Sequence, residues 1–277
     1  MIPKWLHWLD SCPSTNTWAQ ENSNLGHGEV VFTPLQTAGK GQHGRIWYAP
    51  KGVFTASFIL EIPVEKLSGL SLVAGLAVIY ALEDLIYNLQ NQLRLKWPKD
   101  IWIDGQKLGG ILCEGSINSS GNKARIIVGV GLNISADFQQ IDIDKDKDNQ
   151  TIKTIDKTVL KKAISLHQVV DTIPSELMLL ESIRTYLLQM ASLFSIDKTG
   201  EIDKIEKSIG KSNTPLTMLL QKIRDRDGLY GRKIGINTSE KKIWGKAAGI
   251  DDNGYLLLKL EDGTLQAFSS GSVIINH

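Results

Sequence analysis

From Leu67 to Leu82 the chain runs for sixteen residues, "LSGLSLVAGLAVIYAL", without a charged side chain, and Glu83-Asp84 follow at once. Such a stretch has no polar face to offer water, so whatever it folds into must be covered on nearly every side. A membrane-spanning helix needs about eighteen or more consecutive apolar residues, and this run stops short of that. It therefore predicts a buried core helix, which we extend over residues 67–91. With 277 residues and 42% hydrophobic content, the chain can build the core that such a helix requires, plus a second, smaller unit.

Up to about residue 225 the chain alternates helix and strand patterns. Ser14-Thr15-Asn16 offers N-cap oxygens ahead of a short helix through Glu21, and strands are expected at 30–32 and 53–60. Asp104-Gly105 lies between two apolar-patterned runs and predicts a two-residue hairpin, with Lys107 just past its turn. In "ARIIVGVGLNIS", Gly129 and Gly131 permit close approach to a strand that also holds Asn133. Residues 175–195 have the spacing of an amphipathic helix, with Met178 and Met190 expected in the core.

The charged run at 139–157 reads as a solvated insertion. Beyond Gly228 the pattern becomes short β-pieces (233–237, 242–248, 255–260 and 264–268) separated by Asp-Asn-Gly and Asp-Gly turns, which predicts a small all-β unit. The boundaries that follow are 1–226 and 227–277.

Composition narrows the function. A net charge of +1 argues against a broad nucleic-acid footprint, so any cationic site must be local and concentrated. Two cysteines, Cys12 and Cys113, form neither a disulfide framework nor a zinc-ligand spacing, which points to a reducing, cytoplasmic compartment. The start "MIPKWLHWLD" lacks the apolar segment of a secretory signal, and no membrane span is expected.

The stretch "AGKGQHGRIWYAP" contains a G-x-G-x-x-G formed by Gly39, Gly41 and Gly44. A dinucleotide site also needs a helix opening from those glycines, whereas here a strand pattern follows. What remains is a glycine loop whose N–H groups can approach an anion, flanked by Lys40, His43 and Arg45.

Four stretches in this order, "DSCPSTNTWAQ", "QTAGKGQHGRIWYAP", "KWPKDIWIDGQKLGGILCEG" and "GVGLNIS", followed by a β-rich tail, resemble the biotin protein ligases. The resemblance implies an α+β fold: a mixed sheet flanked by helices, of the class II synthetase-like type, with an SH3-like β-barrel behind it. It also implies a reaction in which biotin and MgATP give biotinyl-5′-adenylate, and the adenylate then acylates one lysine of the biotin carboxyl carrier protein of acetyl-CoA carboxylase.

By the same resemblance, Lys107 and Arg45 are the catalytic cations. Ser14, Thr15, Asn16, Gln36, Gly39, Lys40, Gly109 and Gly110 surround biotin together with Lys107. ATP and the adenylate are met by Gly41, Gln42, His43, Gly44 and Arg45 of the loop, by Trp47 beside the adenine, and by Lys99, Asp100 and Asn133. Magnesium is implied with ATP, but no metal ligand is assigned. A homodimer through the central sheet is a further implication.

The chain departs from the family at Lys40, Gln42 and His43, where arginines are usual, and at Lys99, where asparagine is usual. It reaches the catalytic motifs within fifteen residues, so an enzyme without a DNA-binding module is expected. A lipoate or octanoate ligase of the same fold, and a non-catalytic biotin-binding module, are the rival readings.

Overall fold

The computed structural model describes residues 2–64, 67–117, 122–138, 160, 162–194, 215–238 and 241–275. The charged run expected to form a solvated insertion lies outside the described residues.

Seven strands make the first sheet: β1 (Leu6–Trp8), β2 (Val30–Thr33), β3 (Val53–Pro63), β4 (Arg94–Lys96), β5 (Asp100–Ile103), β6 (Gln106–Ile117) and β7 (Lys123–Asn133). They lie in the order β1-β2-β3-β7-β6-β5-β4, with β1 and β2 parallel and every other pairing antiparallel. Among the described residues, four helices accompany it: α1 (Thr15–Glu21), α2 (Leu70–Leu85), α3 (Glu176–Phe194) and α4 (Pro215–Asp225). The all-β unit is a five-stranded antiparallel sheet of β8 (Lys233–Asn237), β9 (Lys242–Ile250), β10 (Leu256–Lys259), β11 (Leu265–Phe268) and β12 (Ser272–Ile275). The sequence pattern did not anticipate β1 or β12.

Because side chains alternate across a strand, each strand serves two layers. Phe54, Phe58, Val128, Val130 and Ile101 belong to one buried cluster with the residues of α2, whose covering requirement is met there. Their sequence neighbours Thr55, Gly129, Gly131 and Asp100 face the other way and form the floor of the site, while Ser57 is buried against Thr15 and Asn16. The hairpin between β5 and β6 forms where Asp104-Gly105 predicts it, with both turn residues left-handed (φ 50° and 76°).

Helix α2 is shorter than the expected 67–91. It starts after Gly69, whose φ of +68° and close approach to the Leu216 side chain (2.8 Å from a Cβ) exclude a larger residue. It stops at Leu85, and a 3-10 turn at Tyr87–Leu89 follows. Ile86 and Leu89 stay buried beyond the helix end, so apolar spacing continues after the helical backbone has stopped. Met190 is buried as expected, but Met178 is 48% exposed, on the solvent side of α3 near its start, and is no core residue. None of the described helices is long and apolar enough to cross a membrane.

The two sheets share one apolar cluster, which includes Ile234, Leu256 and Leu258 of the second sheet and the buried residues of α2. Trp97 Nε1 donates to Gly254 O at 3.0 Å, tying the first sheet to the second. The strongest polar tie is buried: Arg226 donates through Nη1 and Nη2 to both carboxylate oxygens of Glu83, each at 2.8 Å. Removing one partner strands the other charge in the core, which costs about 3–5 kcal/mol, whereas an apolar pair of similar volume is close to neutral. Glu83→Ala is therefore expected to lower unfolding stability by about 3–5 kcal/mol, and Glu83→Leu with Arg226→Met to recover most of it, as read by urea denaturation.

Candidate functional site

The site is built on the small-residue face of β3, β6 and β7. A Cβ on Gly129 would collide with the Asn16 side chain, and one on Gly131 would sit 2.5 Å from Trp47 Cε2 and Cζ2. These glycines are why an amide and an indole can lie directly on the sheet. Above them opens a cavity of about 890 Å³, a size typical of small-molecule sites.

One end of the cavity is polar and buried. Ser14 caps α1, accepting from Thr17 N at 3.4 Å, and so fixes Thr15 and Asn16 at the first turn. Thr15 N donates to Gln36 Oε1 at 2.9 Å. Ser57 links the set, its hydroxyl hydrogen-bonding to Asn16 Oδ1 at 2.6 Å and to the Thr15 hydroxyl at 2.7 Å. Asn16 Nδ2 in turn donates to Glu114 Oε2 at 2.8 Å and to Leu112 O at 3.3 Å. The result is a rigid wall of hydroxyl and amide groups suited to a neutral, hydrogen-bonding ring.

The opposite end concentrates cations. Lys107 Nζ lies 2.7 Å from Asp100 Oδ1 and 5.2 Å from the centre of the Trp47 ring. Its main chain is pinned on both sides: Lys107 N donates to Lys162 O at 2.8 Å, while Lys107 O accepts from Ile164 N at 3.0 Å and from Asn133 Nδ2 at 3.1 Å. Lys96 Nζ stands 4.0 Å from the other Asp100 oxygen and 4.8 Å from the Trp102 ring.

Burial pushes the Asp100 carboxyl up, but Lys107, Lys96 and Lys99 outweigh it and hold the group below the usual carboxylate range. Burial likewise lowers Lys96, and brings Lys99 down to about 8. The Cys113 thiol, driven by burial to about 12, is no nucleophile.

Residues 39–47 fold as a narrow hairpin over the mouth. Lys40 bridges Ile46, Gly41 N donates to Arg45 O at 2.7 Å, and Gln42–Gly44 make a 3-10 turn with His43 and Gly44 left-handed (φ 59° and 72°). No longer helix opens from these glycines, which removes the dinucleotide reading. Arg45 Nη2 donates to Ser272 Oγ at 2.7 Å, so β12 of the second sheet closes the far wall.

Most of the expected site residues converge on this cavity: Ser14, Thr15, Asn16 and Gln36 at the polar end, Lys40 through Arg45 and Trp47 at the mouth, and Lys99, Asp100, Lys107, Gly110 and Asn133 at the cationic end. Two do not. Gly109 points to the opposite face, where its Cβ would meet Gly131 O and Leu132 Cδ2 at 2.6 Å, since consecutive strand residues cannot both face the site. Gly39 makes the neck of the loop, where the Trp47 carbonyl and Gln36 Nε2 fill the space of a side chain.

Asn133 lines the cavity, yet both its amide hydrogens are spent on the main chain, at Lys107 O and Ile164 O. Sequence reasoning missed Ser57, Lys96, Trp102, Glu114 and Ser272. A serine alternating with Thr55 in an otherwise apolar strand was the available sign for Ser57. Lys96, Trp102 and Glu114 owe their place to the register of β4 to β7, and Ser272 to a contact with Arg45 from the far end of the chain.

The chain is similar to known proteins over most of its length. The model of the Biotin/lipoate A/B protein ligase family matches residues 8–133, and that of the Biotin protein ligase C terminal domain matches residues 230–275. The chain is 30% identical to the Bifunctional ligase/repressor BirA of Bacillus spizizenii, over 96% of this chain and 72% of that protein. It is 36% identical to the Biotin--[acetyl-CoA-carboxylase] ligase of Mycobacterium tuberculosis, over 42% of this chain and 43% of that one. The solved biotin protein ligase of Aquifex aeolicus in complex with biotin and ATP superposes with a TM-score of 0.70 at 26% identity, covering 99% of this chain and all of that one.

The contact between Gly131 and Trp47 is testable by a double-mutant cycle. Gly131→Ala is expected to cost about 1–3 kcal/mol of unfolding stability through overpacking. Most of that cost should vanish in the Trp47→Leu background, a coupling of about 1 kcal/mol or more measured by denaturant melts.

Proposed function

Because this chain belongs to the biotin protein ligase family, we propose that its cavity joins the carboxylate of biotin to ATP and then passes the biotinyl group to a lysine of a carrier protein. The observation that carries the reading is the placement of Lys107: its ammonium is held between the Asp100 carboxylate and the Trp47 face, in the same cavity as Arg45 and the polar Ser14–Gln36 wall.

In the first step a carboxylate oxygen attacks the α-phosphorus of ATP and pyrophosphate leaves. In the second, an acceptor amine attacks the acyl carbon and AMP leaves. Both steps crowd anionic oxygens, so preorganised cations supply the stabilisation. Lys107 exchanges its Asp100 partner for the substrate carboxylate and phosphate, and Arg45 meets the same group from the loop. The hydroxyl and amide wall holds the ureido ring, where an analogue lacking those hydrogen bonds leaves buried groups unpaired. Gly110 leaves space beside the ligand, and the Trp47 face offers a stacking surface for adenine.

Magnesium accompanies ATP in this reading, but the described residues offer no ready-made site for it. They hold no group of three metal-ligating side chains, and Asp100 is already committed to Lys107 and Lys96. Magnesium would be held by the phosphates of ATP and would offset their charge there.

The acceptor in this proposal is the biotin carboxyl carrier protein of acetyl-CoA carboxylase, in a reducing cytoplasm that suits two unbridged cysteines, Cys12 and Cys113. Two chains would pair through the edge of the larger sheet. No nucleic acid or membrane takes part, and the unit boundary falls between residues 226 and 227. A lipoate or octanoate ligase would need a tunnel for an acyl chain where this cavity has hydrogen-bonding side chains.

Incubation with biotin, MgATP and a carrier domain should add one biotinyl group to one carrier lysine, read by mass. Biotin-dependent ATP–pyrophosphate exchange should fall about 100- to 1,000-fold in Lys107→Ala. Exchange driven by lipoate instead of biotin, or untouched by that substitution, would overturn the reading. Gln42 supplies no charge to the loop, so the adenylate should escape more readily than from an arginine-rich loop. Gln42→Arg is expected to reduce biotinylation of a bystander protein, and unchanged leakage would refute the idea.

A further inference from the structure

Lys99 stands in the turn between β4 and β5, where the family usually has asparagine. Its main-chain carbonyl accepts from Ile111 N at 3.0 Å, which fixes it against β6 just beyond the last residue that pairs with β5. From there its side chain borders the large cavity and also a second one of about 280 Å³, walled by Gln42, Ser71, Cys113 and Glu114.

The amine has no ion-pair partner among the described residues, because Asp100 is taken by Lys107. Lys107 and Arg45 are near enough for their charges to bear on it. Lys99 therefore brings a primary amine to the wall of the chamber that Lys107 and Arg45 also line. An asparagine amide at the same place is not a nucleophile.

We propose that Lys99 is an acyl acceptor in cis: its amine attacks the acyl carbon of biotinyl-5′-adenylate, an amide bond forms, the acyl–phosphate C–O bond breaks, AMP leaves, and the proton of the amine passes to solvent. The inference rests on the ligase reading and requires no reagent beyond the adenylate that this reading supplies. Two physical terms favour it over the surface lysines. Nucleophile and electrophile share one cavity, so the encounter is intramolecular. Burial, opposed by Asp100 and reinforced by Lys107 and Arg45, lowers the amine to about 8. About a tenth of it is then neutral at pH 7, against under a thousandth for an ordinary lysine. The amide would fill the space between the two cavities and close the site to further substrate, so the reaction competes with transfer to the carrier.

The test is to incubate the full chain with biotin and MgATP, without carrier, at two protein concentrations, and to follow acylation of each lysine by peptide mass spectrometry. Pyrophosphate exchange is run on the same sample. Lys99 is expected to gain one biotinyl group about tenfold or more faster than the exposed Lys51 and Lys233, at a rate unchanged by dilution. The label should be absent from that position in Lys99→Arg, whose guanidinium is not acylated, and added carrier should slow its appearance. If exchange proceeds while Lys99 stays unmodified, or labels only as fast as Lys51, the inference fails and the ligase reading stands. Absence of exchange in the wild-type chain would take down both. The wild-type labelling pattern decides the matter even if the variant does not fold.

Discussion

The structure depends on one sheet having two incompatible faces. One must be wide and apolar enough to cover a helix that exposes almost nothing polar, and the other must be small enough to let side chains lie flat upon it. Strand alternation lets β3, β6 and β7 do both: Phe54, Phe58 and Val130 join the apolar cluster that buries α2, while Thr55, Gly129 and Gly131 floor the cavity. Neither face can be changed without shifting the register that sets the other. The site is thus held by the centre of the fold and closed by the loop at residues 39–47.

The electrostatics follow the same economy. Near neutrality overall, the chain gathers Lys96, Lys99 and Lys107 around one carboxylate. Asp100 works against its own burial to stay ionised there, and by doing so keeps Lys107 aimed at the position a substrate anion would take. An internal counter-charge of this kind allows several cations to be brought together before any ligand arrives.

What could be read from the sequence was what local pattern determines. The two-residue turn at Asp104-Gly105, the cap at Ser14, the glycines of β7 and four of the five strands of the second sheet all follow from spacing and residue type. The family resemblance placed nearly every candidate on the cavity. Gly109 lies off the cavity, and a doublet of glycines does not reveal which one faces inward until the register is known. The length of α2 was overestimated because Ile86 and Leu89 continue to bury after the helix has ended. Ser272 was illegible because it meets Arg45 from the far end of the chain, and Lys96 and Trp102 because which face of their short strands turns to the cavity is known only from the register with Asp100 and Lys107.

The segment around Arg226 has one more effect. Its carbonyl accepts from Leu95 N at 2.7 Å, and two residues later Gly228 N donates to Leu95 O at 2.8 Å, so the chain is stitched along the outer side of β4 just before it enters the second sheet. With its side chain also clamped to α2 through Glu83, this stretch acts as a weld rather than a hinge. Heat should therefore not melt the smaller sheet ahead of the larger one, and a calorimeter would record a single cooperative peak.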